Sequence, residues 1–452
     1  MKNLLLFSTI LFQVLSFGQQ TTLKVVGRNL TLTNGQNIVL RGVNYPLINE
    51  GSIALDNAVQ YKSYIDQVAL TGANAVRLPW YTNGQSWRDQ TANGGAPGTM
   101  NGYVNNGHLS NIVAYCITKG MVPILSIHDD SFITCKTDWA YFNSTVMNFW
   151  TSPAIINLIN TNKSKIIINL ANEFDKVRWA NNPVTALDNF KTNYNAAITT
   201  LRNAGITVPI MIDAPDCGQS STELLSIAVS MNNADSQHNL IFSSHAYWGG
   251  YASTTAQIQA KLNEAQNTNV CFILGEIANN QDNNGCGDLG LYNIYPTILQ
   301  ESCTRNIGWL AWTFNHDCTV DNPNLNSTNY RIMTTNSNVN NLTTFGNDII
   351  NNVNYGLKST QGCGATVLSN DQFNFDLPKI TVYPNPVTDV LNIESSSTIT
   401  KIAIINLLGQ ELISKNSNDF KTEIDLSVLK SGNYLAKVYC NNSAQVIRIV
   451  KK

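Results

Sequence analysis

Two stretches of the chain end alike: Lys165–Glu173, reading KIIINLANE, and Cys271–Glu276, reading CFILGE. Each is a short apolar run rich in β-branched residues that finishes on a glutamate. A carboxylate is costly to withdraw from water without partners. An apolar strand that delivers one at its C-terminal tip therefore points to a site that uses it, and two such strands point to a carboxylate pair.

Further runs of the same kind surround them: Leu40–Asn44, Ala75–Trp80, Val122–His128, Ile166–Asn172, Pro209–Asp213, Leu240–Tyr247, Phe272–Glu276 and Trp309–Phe314. Helical apolar spacing fills the intervals, as in Ala58–Leu70, Leu109–Thr118, Asn189–Asn203 and Phe345–Asn352. Alternation of strands and helices signals βα units and a parallel sheet. Eight strands close a (β/α)8 barrel, and the span of roughly 270 residues is near the usual size of that fold, about 250. The competing architecture, a doubly wound open sheet, calls for a Gly-rich phosphate loop after its first strand, and none follows Leu40–Asn44.

Outward from the barrel, Leu23–Gly42 reads as a β-hairpin with turns at Gly27–Asn29 and Asn34–Asn37, placed to plug the barrel bottom. Beyond Leu357 the chain turns polar, and residues 358–375 form a linker. Residues 376–452 carry short alternating strands and read as a small β-sandwich. The expected domains are thus a leader at 1–18, the barrel at 19–357, the linker and the C-terminal sandwich. The leader is a secretory signal peptide: Lys2, an apolar Leu4–Phe17, then Ser16-Phe17-Gly18. An N-terminal membrane anchor is the alternative, for which the run falls short of the roughly 20 residues of a span.

Charged residues make up 13% of the 452, and the formal net charge is −2, so no global field recruits nucleic acid and neutral substrates are favoured. Nine cysteines in an exported chain leave at least one unpaired. Cys116 and Cys271 read as small buried hydrophobes, and Cys135, Cys217, Cys286, Cys303 and Cys318 as bridge candidates. The five histidines are scattered and supply no metal cluster, so neither metal nor other cofactor is expected.

In such a barrel the strand tips face one another across the mouth. The last polar residues of the runs are Arg77, His128, Asn172, Glu173, His245, Tyr247, Glu276 and Trp312. Two acids, donors to orient them and an aromatic platform suit glycosidic cleavage, in which one carboxyl protonates the leaving oxygen and the other attacks the anomeric carbon. Arg77 would keep Glu276 ionised, Asn172 would bond the sugar 2-hydroxyl, and Trp312 would stack on a ring. Trp309, three residues earlier on the same strand, faces the other way and packs, as does Trp150. Loop aromatics Trp80, Tyr81, Trp87, Trp139, Trp179 and Trp248 are further candidate subsite platforms.

Arg41-Gly-Val-Asn44, Asn74-Ala-Val-Arg77, His128-Asp129, Asn172-Glu173, His245-Ala-Tyr247, Gly275-Glu276 and Trp309-Leu-Ala-Trp312 resemble, in order, the motifs of glycoside hydrolase family 5, the cellulase and β-mannanase family. The resemblance covers about residues 23 to 355. It implies a retaining mechanism with Glu173 as acid/base and Glu276 as nucleophile, and a glycone subsite of Arg77, His128, Asn172, His245, Tyr247 and Trp312. Ile127–Asp129, Ile168–Glu173 and Gly308–Trp312 look closest to bacterial endo-β-1,4-mannanases. Phe174-Asp175 and Ile277–Asn279 depart from their pattern, so an endo-β-1,4-glucanase stays open as the alternative, and a non-catalytic glycan-binding protein as a second. The tail, with Tyr383–Pro386, Leu408–Gln410 and Gly432–Tyr434, resembles the type A sorting domain of the type IX secretion system. Its implied partner is the outer-membrane secretion machinery, with a β-linked polysaccharide as substrate, a monomeric state, and a secreted or surface location. A carbohydrate-binding sandwich is the rival reading of this tail.

Overall fold

The computed structural model describes residues 22–50, 58–82, 103–105, 107–129, 135–281, 290–317, 331–359, 380–406, 410–440 and 443–452. The leader at 1–18, most of the linker, Trp87, Cys286 and Cys318 lie outside the described residues. Three N-terminal strands, β1 (Leu23–Val26), β2 (Asn29–Leu32) and β3 (Asn37–Ile38), pair antiparallel. Eight parallel strands then close a barrel: β4 (Arg41–Asn44), β5 (Ala75–Trp80), β6 (Val122–Ile127), β7 (Ile167–Asn169), β8 (Ile210–Asp213), β9 (Leu240–His245), β10 (Cys271–Ile277) and β11 (Gly308–Ala311). Every residue of these strands is buried, which is why they read as continuous apolar runs rather than as alternating ones.

The hairpin seals the bottom of the barrel. Leu23, Val25, Leu30, Leu32, Ile38 and Leu40 share one core with Ala75, Val122, Ile167, Met211 and Ile273 from the barrel strands. Hydrogen bonds tie it to the barrel: the Leu23 N–H donates to the Ser164 carbonyl at 3.1 Å, the Val25 N–H to Asn239 Oδ1 at 2.8 Å, and Arg28 Nη2 to the Arg305 carbonyl at 3.1 Å. Close strand contact at β4 requires Gly42, since a Cβ there would lie 1.9 Å from the Ala75 carbonyl oxygen.

Helices Ala58–Ala69, His108–Thr118 and Thr344–Asn351 match their expected spans within a residue or two. The helix expected from Asn189 begins instead at Pro183, because Asn182 caps it by accepting from the Thr185 N–H and proline suits the first helical position. Trp150 is fully buried, its indole N–H donating to the Leu170 carbonyl at 2.9 Å. Cys135 and Cys217 form a disulfide, Cys303 is also disulfide-bonded, and Cys116, Cys271 and Cys440 are buried free thiols. Among the described residues no helix is long and apolar enough to cross a membrane.

The C-terminal unit is antiparallel: β12 (Ile380–Tyr383), β13 (Val390–Ile405), β14 (Glu411–Asp425), β15 (Gly432–Cys440) and β16 (Ser443–Lys451). Its strands form one hydrogen-bonded sheet. In β13, residues 392–395 pair with β12 and 390–394 with β14, and its 399–405 half pairs with β14 and β15 across a shift of register. Leu391, Ile393, Ile402, Ile404, Val438 and Ile449 are the centre of this unit's own core.

Candidate active site

At the C-terminal end of the barrel, Arg77 is the hub. It points inward from β5 with no exposed surface and donates from all three guanidinium nitrogens. Its Nη1 reaches Glu276 Oε1 at 2.8 Å and Asn44 Oδ1 at 3.0 Å. Nη2 reaches Asn172 Oδ1 at 2.6 Å, Asp213 Oδ2 at 3.0 Å and Asn169 Oδ1 at 2.8 Å. Because arginine only donates, Asn172 must turn its carbonyl to Arg77 and its amide nitrogen the other way.

Glu276, on β10, accepts at both oxygens: Oε1 from Arg77, and Oε2 from the Tyr247 hydroxyl at 2.7 Å. Two such charge-assisted bonds suit the ionised carboxylate. Glu173 sits just past β7, where the chain leaves the ladder, with φ of 49° in the left-handed region. A non-glycine residue held there is strained, and such strain gathers at functional sites. Its Oε1 lies 2.7 Å from His245 Nδ1, and burial pushes its carboxyl above the ordinary value, reinforced by the charges of Glu276 and Asp213 and opposed by His245. Burial pulls His245 down, but Glu276, Asp213 and Glu173 together hold it up at about 10, so it is an imidazolium at neutral pH. His128 goes the other way: buried and close to the positive Arg77 and His245, it is pushed well below 6.5 and stays neutral.

One oxygen of Glu173, one of Glu276 and one nitrogen of His245 all lie within 4.8 Å of one another. That trio is compact enough for a cation, but Arg77 and Tyr247 already occupy both oxygens of Glu276, and Nδ1 of His245 is taken by Glu173. Retaining glycosidases hold their carboxyls about 5–5.5 Å apart, and inverting ones about 6.5–9.5 Å. Oxygens of Glu173 and Glu276 within 4.8 Å of each other accord with the closer, retaining arrangement.

Residues 32–317 match the family described as Cellulase (glycosyl hydrolase family 5), and residues 381–452 match the secretion system C-terminal sorting domain. The chain belongs to glycoside hydrolase family 5. It is 28% identical over 340 residues to a mannan endo-1,4-beta-mannosidase of Cellvibrio japonicus, covering 74% of this chain and 67% of that one. A mannan endo-1,4-beta-mannosidase of Salipaludibacillus agaradhaerens is 25% identical over 303 residues, 65% of this chain and 82% of its own. In fold, the chain resembles the β-mannanase of Thermomonospora fusca in its mannohexaose complex, with a TM-score of 0.56 and 21% identity, over 78% of this chain and 99% of that one. It is therefore a retaining glycoside hydrolase that carries a type IX sorting domain.

The eight strand-tip residues expected from the sequence of this family 5 enzyme all gather at one end of the barrel. Trp312 stacks its ring at 14° and 6.0 Å on His128, and its indole N–H is held by Asp317, itself paired with Arg331. Three of the six further aromatics, Trp80, Tyr81 and Trp248, are corrections. Trp80 and Trp248 are each 1% exposed and belong to the packing layer. Trp80 lies three residues from inward-pointing Arg77 and Trp248 directly follows Tyr247, so in extended backbone both face away from the mouth. Tyr81 is likewise buried. Trp139 is half-buried, packing edge-on against Phe142, Phe174, Phe190 and Tyr194 at the margin of the core. Trp179, 56% exposed with Arg178 over its ring, remains available as a platform.

Asp213, Asn44 and Asn169 belong to the site and were not among the expected residues. Asp213 ends the Pro209–Asp213 run as the two glutamates end theirs, so the same strand-tip signal marks it.

Proposed function

We propose that this enzyme is a secreted endo-β-1,4-glycanase acting on β-1,4-mannan, with Glu276 as nucleophile and Glu173 as acid/base. The observation that carries the roles is the asymmetry of the pair: Glu276 is bonded at both oxygens by Arg77 and Tyr247, whereas burial holds Glu173 toward its protonated form. In the first step a Glu276 oxygen bonds the anomeric carbon as the glycosidic C–O bond breaks and Glu173 gives its proton to the departing oxygen. In the second, Glu173 takes a proton from water, whose oxygen displaces Glu276. Asn172, oriented by Arg77, supplies an amide donor for the sugar 2-hydroxyl, and Trp312 supplies a ring face beside the reacting sugar.

Mannan as substrate is supported by the names of the Cellvibrio and Salipaludibacillus relatives. A glucan is the second reading, favoured by a further relative, the beta-mannanase/endoglucanase A of Caldicellulosiruptor saccharolyticus, 25% identical over 245 residues. Export to the surface or medium follows from the sorting domain, with the N-terminal 18 residues as signal peptide.

The test is reducing-sugar release from glucomannan, galactomannan, carboxymethylcellulose, mixed-linkage β-glucan and xylan. We expect release from both mannans, and a loss on the order of 10⁴-fold or more in Glu276→Ala and at least 10²-fold in Glu173→Ala. Release from glucans alone moves the substrate to the second reading. Near-normal turnover by folded Glu276→Ala would sink the assignment of roles.

A further inference from the structure

We propose that Asp213 is a positioning residue for this reaction, the fixed counter-ion of His245 while negative charge moves between Glu276 and Glu173. The inference rests on the roles just assigned to those two glutamates. Asp213 ends β8 with no exposed side-chain surface. Its Oδ2 lies 3.0 Å from Arg77 Nη2 and 3.6 Å from His245 Nε2. A buried carboxylate is retained only where charge and hydrogen bonds offset its lost hydration. Burial pushes Asp213 up, yet Arg77 and His245 outweigh it and hold the group below its ordinary value, so it is ionised at neutral pH.

The argument is one of charge balance through the cycle. The charged and titratable groups facing His245 and Glu173 are Arg77 on β5, His128 just past β6, Asp213 on β8, Tyr247 beyond β9 and Glu276 on β10; Tyr194, on the helix Pro183–Asn203, faces Asp213. His128 and both tyrosines are neutral near pH 7. In the form that the proposed mechanism requires, Glu173 carries the proton it is to give and Glu276 is the anionic nucleophile; with Arg77 and His245 positive and Asp213 negative, the cluster then sums to zero. In the glycosyl-enzyme Glu276 is an ester and carries no charge, while Glu173 has lost its proton and is negative. The sum is again zero.

His245 serves both states from one atom: Nδ1 is 2.7 Å from Glu173 Oε1 and 3.6 Å from Glu276 Oε2. Its far nitrogen faces Asp213 throughout. Of the three carboxylates around the ring, Asp213 alone keeps its charge at every stage. Without it the closed cluster carries an excess positive charge in both states. That excess favours loss of a proton from Glu173, and the general acid is ionised at a lower pH.

The experiment compares the pH dependence of kcat/KM on a mannan oligosaccharide for wild type, Asp213→Asn and Asp213→Glu. The alkaline limb reports the protonated general acid. We expect it to move to lower pH by roughly one unit in Asp213→Asn, with kcat down on the order of 10²-fold, and to return toward wild type in Asp213→Glu. A merely structural role lowers kcat and leaves the limb in place, and that result overturns the proposal.

Should Asp213→Asn fail to fold, the wild-type enzyme decides. It is trapped with a 2-deoxy-2-fluoro aryl β-mannobioside and its histidines are read by ¹⁵N NMR at neutral pH. His245 stays an imidazolium in the trapped state if Asp213 is its counter-ion, and a neutral ring there refutes this. Peptide mass of the trapped enzyme separates the two levels: label absent from Glu276 defeats the catalytic roles, while label on Glu276 with an unmoved limb defeats the role of Asp213 alone.

Discussion

Tyr247 shows how much of a residue's role lies in its partner. Its ring is 6% exposed, and its hydroxyl donates to the Glu276 oxygen that Arg77 leaves open. Burial and the neighbouring Glu276 push the phenol well above 10, so it remains a donor at any working pH. A hydrogen bond to a charged group is worth about 1.5–3 kcal/mol. Tyr247→Phe keeps the ring and removes the bond, so kcat/KM is expected to fall roughly 10- to 100-fold, with little change in the unfolding midpoint. Steady-state kinetics beside a thermal melt checks this, and an unchanged kcat/KM removes Tyr247 from the machinery. At this scale the sequence was legible where a polar residue closed or interrupted an apolar run, which marked both glutamates, Arg77 and His245, although Asp213, which closes its run in the same way, was passed over. It was illegible where only the direction of a side chain decides, as for Trp80 and Trp248: an aromatic beside a strand tip looks the same in sequence whether it faces the mouth or the helices.

Among the elements, the loop between β8 and the helix Ser221–Ala234 does the most to set the site. Three successive residues, Asp216, Cys217 and Gly218, have positive φ. Asp216 accepts from the Val177 and Arg178 N–H groups at 2.9 and 3.0 Å and so ties down the chain that follows Glu173. Cys217 is bridged to Cys135, beyond β6, so the disulfide spans the two loops that flank Glu173. The Gly218 carbonyl accepts from the His245 N–H at 2.7 Å, and a Cβ at 218 would lie 2.5 Å from the imidazole ring. Gly218→Ala is therefore expected to displace His245 from Glu173 and cut kcat about tenfold or more while KM changes little. Normal kcat in a folded Gly218→Ala protein would show that the ring tolerates the shift. The barrel strands themselves were readable because both their faces are buried. The regular ladder of β7 covers only Ile167–Asn169, yet the Leu170 N–H still reaches the Met211 carbonyl at 3.3 Å and the Asn172 N–H the Ile127 carbonyl at 2.7 Å, so the Ile166–Asn172 run follows its neighbours to the strand tip.

For the molecule as a whole, the two opposed histidines of the barrel set a pH window for stability. His128 is held well below its ordinary 6.5 in the fold, so below that pH the unfolded chain takes up a proton that the folded one refuses. Its contribution is complete above about 6.5 and is lost as pH falls. His245 is held up at about 10, so from 6.5 upward the folded chain keeps a proton that the unfolded one releases. Its contribution is complete below 6.5 and is lost as pH rises toward about 10. Asp213 and Asp235, held below 3.8, begin to cost stability only at lower pH, as their unfolded forms protonate. The first loss on the acid side therefore belongs to His128. Calorimetric melts across pH should show a maximum near the ordinary histidine value and a decline on both sides. In His128→Gln the early acid decline should flatten while the alkaline decline persists; an acid decline identical to wild type would mean that His128 titrates in the fold as it does in the unfolded chain.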